Sequence, residues 1–208
     1  VSRDQLVDAA IALMREKPDE PLTVARVAEE AGVSPMALYR HFRDRDELVD
    51  EVVGRLLTER NAAIPQDAPW QEQLRIWVLG GLEYLVPCSQ VVSVVLAGGT
   101  TRWLLDAATL VRILDLAGCD DGQIAELQVW IALSVSGYVM AEAARRQSPN
   151  AEEVYAALEQ LPPGDAARLL ELMPHIDHAF DHMHERFADR LIRSVAAEVP
   201  KRGARKKR

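Results

Sequence analysis

The sequence predicts an all-α protein in two parts, a small N-terminal three-helix domain and a larger C-terminal helical domain. Two observations carry this. Apolar residues recur at helical spacing almost throughout, with no surviving strand-like alternation, and clusters of Pro and Gly cut the pattern into helix-length pieces. With 208 residues, 49% hydrophobic and 27% charged, the chain has the balance of a folded globular protein and length enough to bury a core.

The elements follow in order. Leu6, Val7, Ala10, Leu13 and Met14 form the stripe of a first helix that Pro18 and Pro21 end. Val24, Val27, Ala28 and Ala31 mark a second, with Thr23 as N-cap and Gly32 where a left-handed residue closes a helix. A third begins with Ser34 as N-cap and Pro35 at the first helical position, and runs to about Phe42. A fourth opens near Asp44, carries Asp46 and Glu47 on its first turn, and turns Leu48, Val49, Val52, Val53 and Leu56 inward. Pro65 and Pro69 then separate a domain of residues 1–62 from one of residues 68–199. Further breaks fall at Pro87, Gly98 and Gly99, 117–123, 148–150, 162–165 and Pro174, with about six more helices between them.

The formal net charge is −8, yet the last eight residues, KRGARKKR, carry six positive charges, so the preceding 200 sum to −14. Even residues 1–60 hold nine Lys or Arg against thirteen Asp or Glu. Unspecific adhesion to nucleic acid is therefore disfavoured, and recognition of DNA has to rest on a local face. The segment Met36, Tyr39, Arg40 and Arg43 offers one, because it lies off the inward stripe of Leu38 and Phe42. A short helix, a turn through Gly32 and a second short helix form the helix-turn-helix pattern, although two packed helices of any bundle share that spacing.

"LTVARVAEEAGVSPMALYRHFRDRDELVDEV", Leu22 to Val52, resembles the DNA-binding segment of the tetracycline-repressor (TetR) family of bacterial regulators. The resemblance is dense over residues 5–56, and the remainder matches in length and helix count. It implies a homodimer whose small reading domains bind a double-stranded operator and whose larger domains take a small-molecule effector. It implies that Thr23 holds a phosphate at a helix N-terminus, and that Ser34, Pro35, Met36 and Ala37 enter the major groove. Tyr39 would hold a phosphate, Arg45 would clamp the DNA backbone where the family usually has Lys, and Arg40 would read a guanine. His41 either contributes to this face or packs beside Phe42. Many members carry a base-reading Arg at the position of Ala25, whereas here the nearest is Arg26, which shifts base reading to the third helix.

In the larger domain, Trp77, Tyr84, Trp103, Trp130 and Tyr138 stand on separate helical segments among small residues, including Gly80, Gly81, Ala97, Gly98 and Gly99. Large aromatics beside small residues leave concave space for a ligand, and they also serve simply as core. Ser134, Tyr138 and Glu142, four apart on one helix, are its candidate polar anchors. For a dimer interface, the helix over 124–147 offers Val129, Ala132, Ser136, Val139 and Ala143. A last helix over about 175–198 offers Ile176, Phe180, Met183, Phe187, Leu191 and Val195. Both stripes could instead be core of a single chain.

Other features bound the function. His175, His178 and His182 share one helical face and could present imidazoles to a transition metal, but the helix is so charged that a solvated surface is simpler, and no metal site or cofactor is assigned. No GxSxG, phosphate-binding Gly loop, HExxH or paired Cys and His arrangement occurs, so a helical enzyme is disfavoured and a protein-binding adaptor is the other alternative. Cys88 and Cys119 read as two buried thiols. The acidic N-terminus and the absence of an unbroken apolar run of membrane length point to a cytoplasmic protein with no membrane partner. Residues 200–208 read as a basic, disordered tail.

Overall fold

The computed structural model describes residues 1–17, 20–89, 92, 101–146 and 151–199. The expectations placed on Pro18, Ala97, Gly98, Gly99, residues 148–150 and the basic tail lie outside the described residues. The chain is all-α, with ten helices and no strand among those residues: α1 Arg3–Glu16, α2 Val24–Glu30, α3 Pro35–Leu38, α4 Arg45–Ala62, α5 Trp70–Leu85, α6 Trp103–Ala117, α7 Asp121–Arg146, α8 Ala151–Leu158, α9 Pro163–Phe180 and α10 Met183–Glu198.

Local chemistry sets the first four helix starts. The Ser2 hydroxyl accepts from Gln5 N while the Gln5 side chain accepts from Ser2 N, a reciprocal capping box. Thr23, Ser34 and Asp44 cap α2, α3 and α4 by accepting from the amides of Arg26, Ala37 and Glu47. Between α2 and α3 the backbone turns through Gly32 at φ +66°, a left-handed conformation that other residues adopt only at a cost. Regular α-helix in α3 is shorter than the spacing suggests, ending at Leu38. Backbone bonds from Arg40, His41 and Phe42 to Ala37 and Leu38 carry the coil onward as turns.

Two cores result. The first joins α1, α2, α3 and most of α4 around Leu6, Met14, Leu22, Val27, Leu38, Phe42, Leu48, Val52 and Leu56. The second joins α5, α6, α7 and α10 around Leu74, Trp77, Val78, Leu82, Leu110, Ile113, Ile131, Val139 and Leu191. Burial of each such side chain contributes about 1.5–3 kcal/mol. Helix α4 packs on α1 from one side and on α5 and α6 from the other.

Two helix boundaries differ from expectation. Pro174 lies inside α9 rather than ending a helix, and the single helix expected over 175–198 is two, broken at Asp181–His182. No residue of α9 is buried, so a helix with solvent around it accommodates the ring and the missing hydrogen bond of Pro174 without disturbing a packed neighbour. In α7 an 18-residue window reaches a mean hydropathy of 1.4, enough by length and composition for a membrane span. An unbroken-run criterion does not register it, and its Ile124, Leu127, Ile131, Val135 and Val139 face the second core.

Gly32→Ala should destabilise the chain by about 1–2 kcal/mol although a Cβ there meets nothing within 4 Å. The cost is conformational, and a shift of the urea midpoint to lower concentration at unchanged slope would show it.

Candidate functional site

The helix-turn-helix presents its outer face as a consequence of what it buries. Leu38 and Phe42 are 0% and 1% exposed. The helical repeat therefore turns Met36, Tyr39 and Arg40 outward, with Met36 71% and Tyr39 51% exposed. Arg40 has no ion pair among the described residues.

Other polar groups of this face are partly engaged. The Thr23 oxygen accepts from Arg26 N at 3.3 Å, which leaves its O–H to donate outward. Arg45 Nε donates to the Leu22 carbonyl at 2.7 Å, tying the start of α4 to the entry of α2, with the side chain still about two-fifths exposed. Arg43 pairs with Asp44 at 2.9 Å, so its charge is offset locally. A backbone bond from Glu47 N, then the Arg43 side chain, hold the Asp44 carboxyl below its usual range. The His41 ring is half-buried and its carbonyl accepts from Arg3 Nη1. Arg3 also pairs with Glu47 at 2.8 Å and Glu51 at 3.4 Å, and its guanidinium lies 4.3 Å from the Phe42 ring centre. The end of the helix-turn-helix is thereby fixed to α1 and α4 together.

A second feature lies where α4, α5, α6 and α7 meet. It is a cavity of about 460 Å³, lined by Val53 and Leu57 of α4, Leu85 of α5, Trp103, Ala107 and Leu110 of α6, Gln128, Val129, Ala132, Leu133, Val135 and Ser136 of α7, and Val92. Its polar floor is Arg60, Trp77 and Asp106. Arg60 is 2% exposed, its guanidinium 4.6 Å from the Trp77 ring centre and ion-paired through Nη2 to Asp106. The same Asp106 oxygen accepts from Trp77 Nε1 at 2.9 Å. Burial pushes the Arg60 guanidinium down to about 9, which still leaves it a cation at neutral pH. Its Nε has no hydrogen-bond partner among the described residues.

The sequence-based ligand residues divide. Trp77 and Trp103 line the cavity, whereas Tyr84, Trp130, Ser134, Tyr138 and Glu142 do not. Tyr84 packs on the first core. Trp130 is partly exposed outside the cavity, and the Ser134 hydroxyl donates to the Trp130 carbonyl at 2.7 Å. Tyr138 packs on Phe187 and His184, with ring centres 4.7 and 5.5 Å away, and burial, followed by the Glu142 charge, pushes its phenol up to about 12. Glu142 accepts two bonds from Arg145 at 2.8 Å, which hold its carboxyl below the usual range. Tyr138 therefore pins α7 to α10, whereas Glu142 is held within its own helix.

The expected dimer stripe also divides. Val129, Ala132 and Ser136 line the cavity, Val139 and Leu191 are buried in the second core, and Met183 and Phe187 are half-buried. Phe180 is partly exposed and Ala143 is half-buried. Gly80 and Gly81, read as neighbours of empty space, are occupied by Arg60: a Cβ on Gly81 would lie 2.9 Å from its Nη1. Arg60 and Asp106 were not singled out in the sequence, though a lone Arg following Leu56 and Leu57 was a usable signal. Among the described residues no group of three or more His, Cys, Asp or Glu could hold a metal. His178 instead pairs with Asp181 at 3.0 Å.

Fold and site define a class: an all-α protein with an N-terminal helix-turn-helix and a larger helical domain enclosing a cavity. A family model, "Bacterial regulatory proteins, tetR family", matches residues 6–52. The HTH-type transcriptional regulator BetI of Brucella canis is 40% identical over 68 residues, which is 31% of this chain and 34% of that protein. The chain thus matches about a third of the length of that relative. BioQ, solved with its double-stranded DNA operator, is 26% identical at a TM-score of 0.57, over 71% of this chain and 90% of that one. A TetR variant from Acinetobacter baumannii in complex with minocycline shares the fold at a TM-score of 0.67 and 20% identity, over 100% and 98% of the two chains. Residues 6–52 are thus similar to the tetR family of bacterial regulatory proteins, and the chain as a whole shares its fold with these solved structures.

Asp106→Ala leaves Arg60 buried and unpaired and should cost about 3–5 kcal/mol. Arg60→Met with Asp106→Leu removes both charges and should cost far less, a non-additivity that equilibrium denaturation of the two singles and the double would show.

Proposed function

We propose that the chain is a DNA-binding transcriptional regulator, a homodimeric repressor that leaves a palindromic operator when a small, largely apolar ligand occupies the cavity. The observation that carries this reading is the outward set of Met36, Tyr39 and Arg40 above a fully buried Leu38 and Phe42. Ser34, Pro35, Met36 and Ala37 enter the major groove, Arg40 reads a base, and Tyr39, Arg45 and the Thr23 hydroxyl hold phosphates. His41 positions the segment through its carbonyl. The operator complex of the BioQ relative and the minocycline complex of the TetR neighbour support the two halves of the reading. Regulation of chromosomal genes puts the protein in a bacterial cytoplasm.

Two reading domains are needed to span half-sites about one DNA turn apart. The dimer face assigned here is α9 with the outer side of α7. No residue of α9 is buried in the single chain, and Leu169, Leu170, Ile176 and Phe180 are exposed on it. Val129, Trp130, Leu133 and Met140 are exposed on α7. Such apolar surface calls for a partner. The ligand acts as a population shift, binding better to the form whose reading heads do not fit the operator.

Selection of genomic fragments by purified protein should enrich a palindromic site. Arg40→Ala should weaken binding to it about ten- to a hundredfold and relax one base position, whereas Tyr39→Phe should weaken all sequences alike. Unchanged binding by both variants would favour a protein-binding adaptor and overturn this reading.

In sedimentation, the wild type should run as a dimer and Leu133→Asp combined with Phe180→Asp as a folded monomer. A dimer that survives both changes would remove α7 and α9 from the interface.

A further inference from the structure

The cavity is lined by one carboxylate whose bonding capacity is only half used. Trp103, Asp106, Ala107 and Leu110 follow one face of α6, and all four line the cavity. The Asp106 side chain is a fifth exposed, whereas its two partners, Arg60 and Trp77, are only 2% and 3% exposed. Oδ1 takes both of their bonds, the ion pair with Arg60 Nη2 and the 2.9 Å bond from Trp77 Nε1. Oδ2 accepts no hydrogen bond among the described residues, and it is not a buried atom. It therefore opens onto space, and the space that Asp106 borders is the cavity. A carboxylate oxygen can only accept, so this position calls for a donor. The donor need not be a cation, because Asp106 already balances Arg60. A second positive charge would lie near the buried guanidinium in a poorly hydrated pocket, and an anion would face Oδ2 directly.

We infer that the cavity takes an uncharged aromatic or alicyclic ligand bearing a hydroxyl group, which donates its hydrogen to Asp106 Oδ2 while Oδ1 keeps its bonds to Arg60 and Trp77. This rests on the ligand half of the proposed function and not on its DNA half. The apolar body lies against Leu57, Leu110, Trp103 and Leu133. Discrimination follows from satisfaction. A body of the same shape that lacks the hydroxyl hydrogen expels water from Oδ2 and leaves a carboxylate oxygen dry and unpaired.

Three probes of similar shape test this by isothermal titration calorimetry on the full chain at neutral pH: 2-naphthol, 2-methoxynaphthalene and the protonated form of 2-(aminomethyl)naphthalene. The naphthol should bind at least about tenfold tighter than the ether, which keeps the oxygen and lacks the hydrogen, and than the ammonium. In Asp106→Asn an amide that keeps its oxygen on Trp77 turns its N–H groups to the cavity, so the preference for naphthol over ether should fall to within about twofold or reverse. If that variant does not fold, the wild-type ranking decides alone. Equal binding of naphthol and ether, or no binding of any probe, would overturn the inference. So would tightest binding of the ammonium, or an undiminished naphthol preference in a folded Asp106→Asn, which would put the acceptor elsewhere. A protein that ranks the probes as stated yet enriches no DNA fragment would sink the regulator reading and leave this one standing. Enrichment of a palindromic site with no probe bound would do the reverse.

Discussion

The structure depends on α4 being buried on two sides. Leu48, Val49, Val52, Val53, Leu56 and Leu57 are all at or below 5% exposure, and Gly54 and Arg60 are buried with them. Such residues fill most of the way round a helix, so α4 cannot be the amphipathic edge of a single domain. Its buried hydrophobic residues from Leu48 to Leu57 belong to the first core, while the same helix packs on α5 and α6. Arg45 at one end and Arg60 at the other are 15 residues apart, about 22 Å along a helix. One end bonds the Leu22 carbonyl at the entry of the reading segment, and the other lies in the cavity floor.

The same helix carries a row of carboxylates that ties it laterally. Arg102, just before α6, pairs with Asp50 at 3.0 Å and Glu51 at 2.8 Å, and lies so close over Gly54 that a Cβ there would sit 3.3 Å from the guanidinium. Arg3, from α1, pairs with Glu47 and Glu51 on the same helix and reaches the His41 carbonyl. Each bridge is half exposed and worth little alone. Together they set the angle at which α4 meets both α1 and α6, with Trp103 of the cavity one residue from Arg102 and the reading segment one contact from Arg3. A displacement of α6 therefore has a short mechanical path through α4 to the helix-turn-helix.

Caps and inward stripes were legible in the sequence because their causes are local. Thr23, Ser34, Pro35, Gly32 and Asp44 each act within four residues, and each does what its side chain and position dictate. The cavity was half legible. Trp77 and Trp103 were found as large aromatics, but Tyr138 and Glu142, which look like anchors on a helix wheel, are consumed by Phe187 and Arg145. Val129, Ala132 and Ser136 were read as a seam for another helix, and small residues serve equally to leave room for a ligand. Helical periodicity identifies a face and is silent about which element covers it. Arg60 escaped for the opposite reason: a charge in an apolar stripe is normally excluded, and only the tertiary placement of Gly80, Gly81 and Asp106 makes it tolerable.

That tolerance has a physical meaning for the site. A buried ion pair seldom stabilises a fold more than apolar residues of the same size would, because two charges lose their hydration. Stability thus gives no reason for Arg60 and Asp106 to occupy the meeting point of four helices. Their position gives one: they sit in the last turn of α4 and the first turn of α6, the two helices that flank the route to the reading domain. A polar group in the cavity that engages the pair would act on α4 and α6 at once. An apolar floor of equal volume would let a ligand bind without favouring either arrangement of the two helices, and a ligand that favours neither moves nothing.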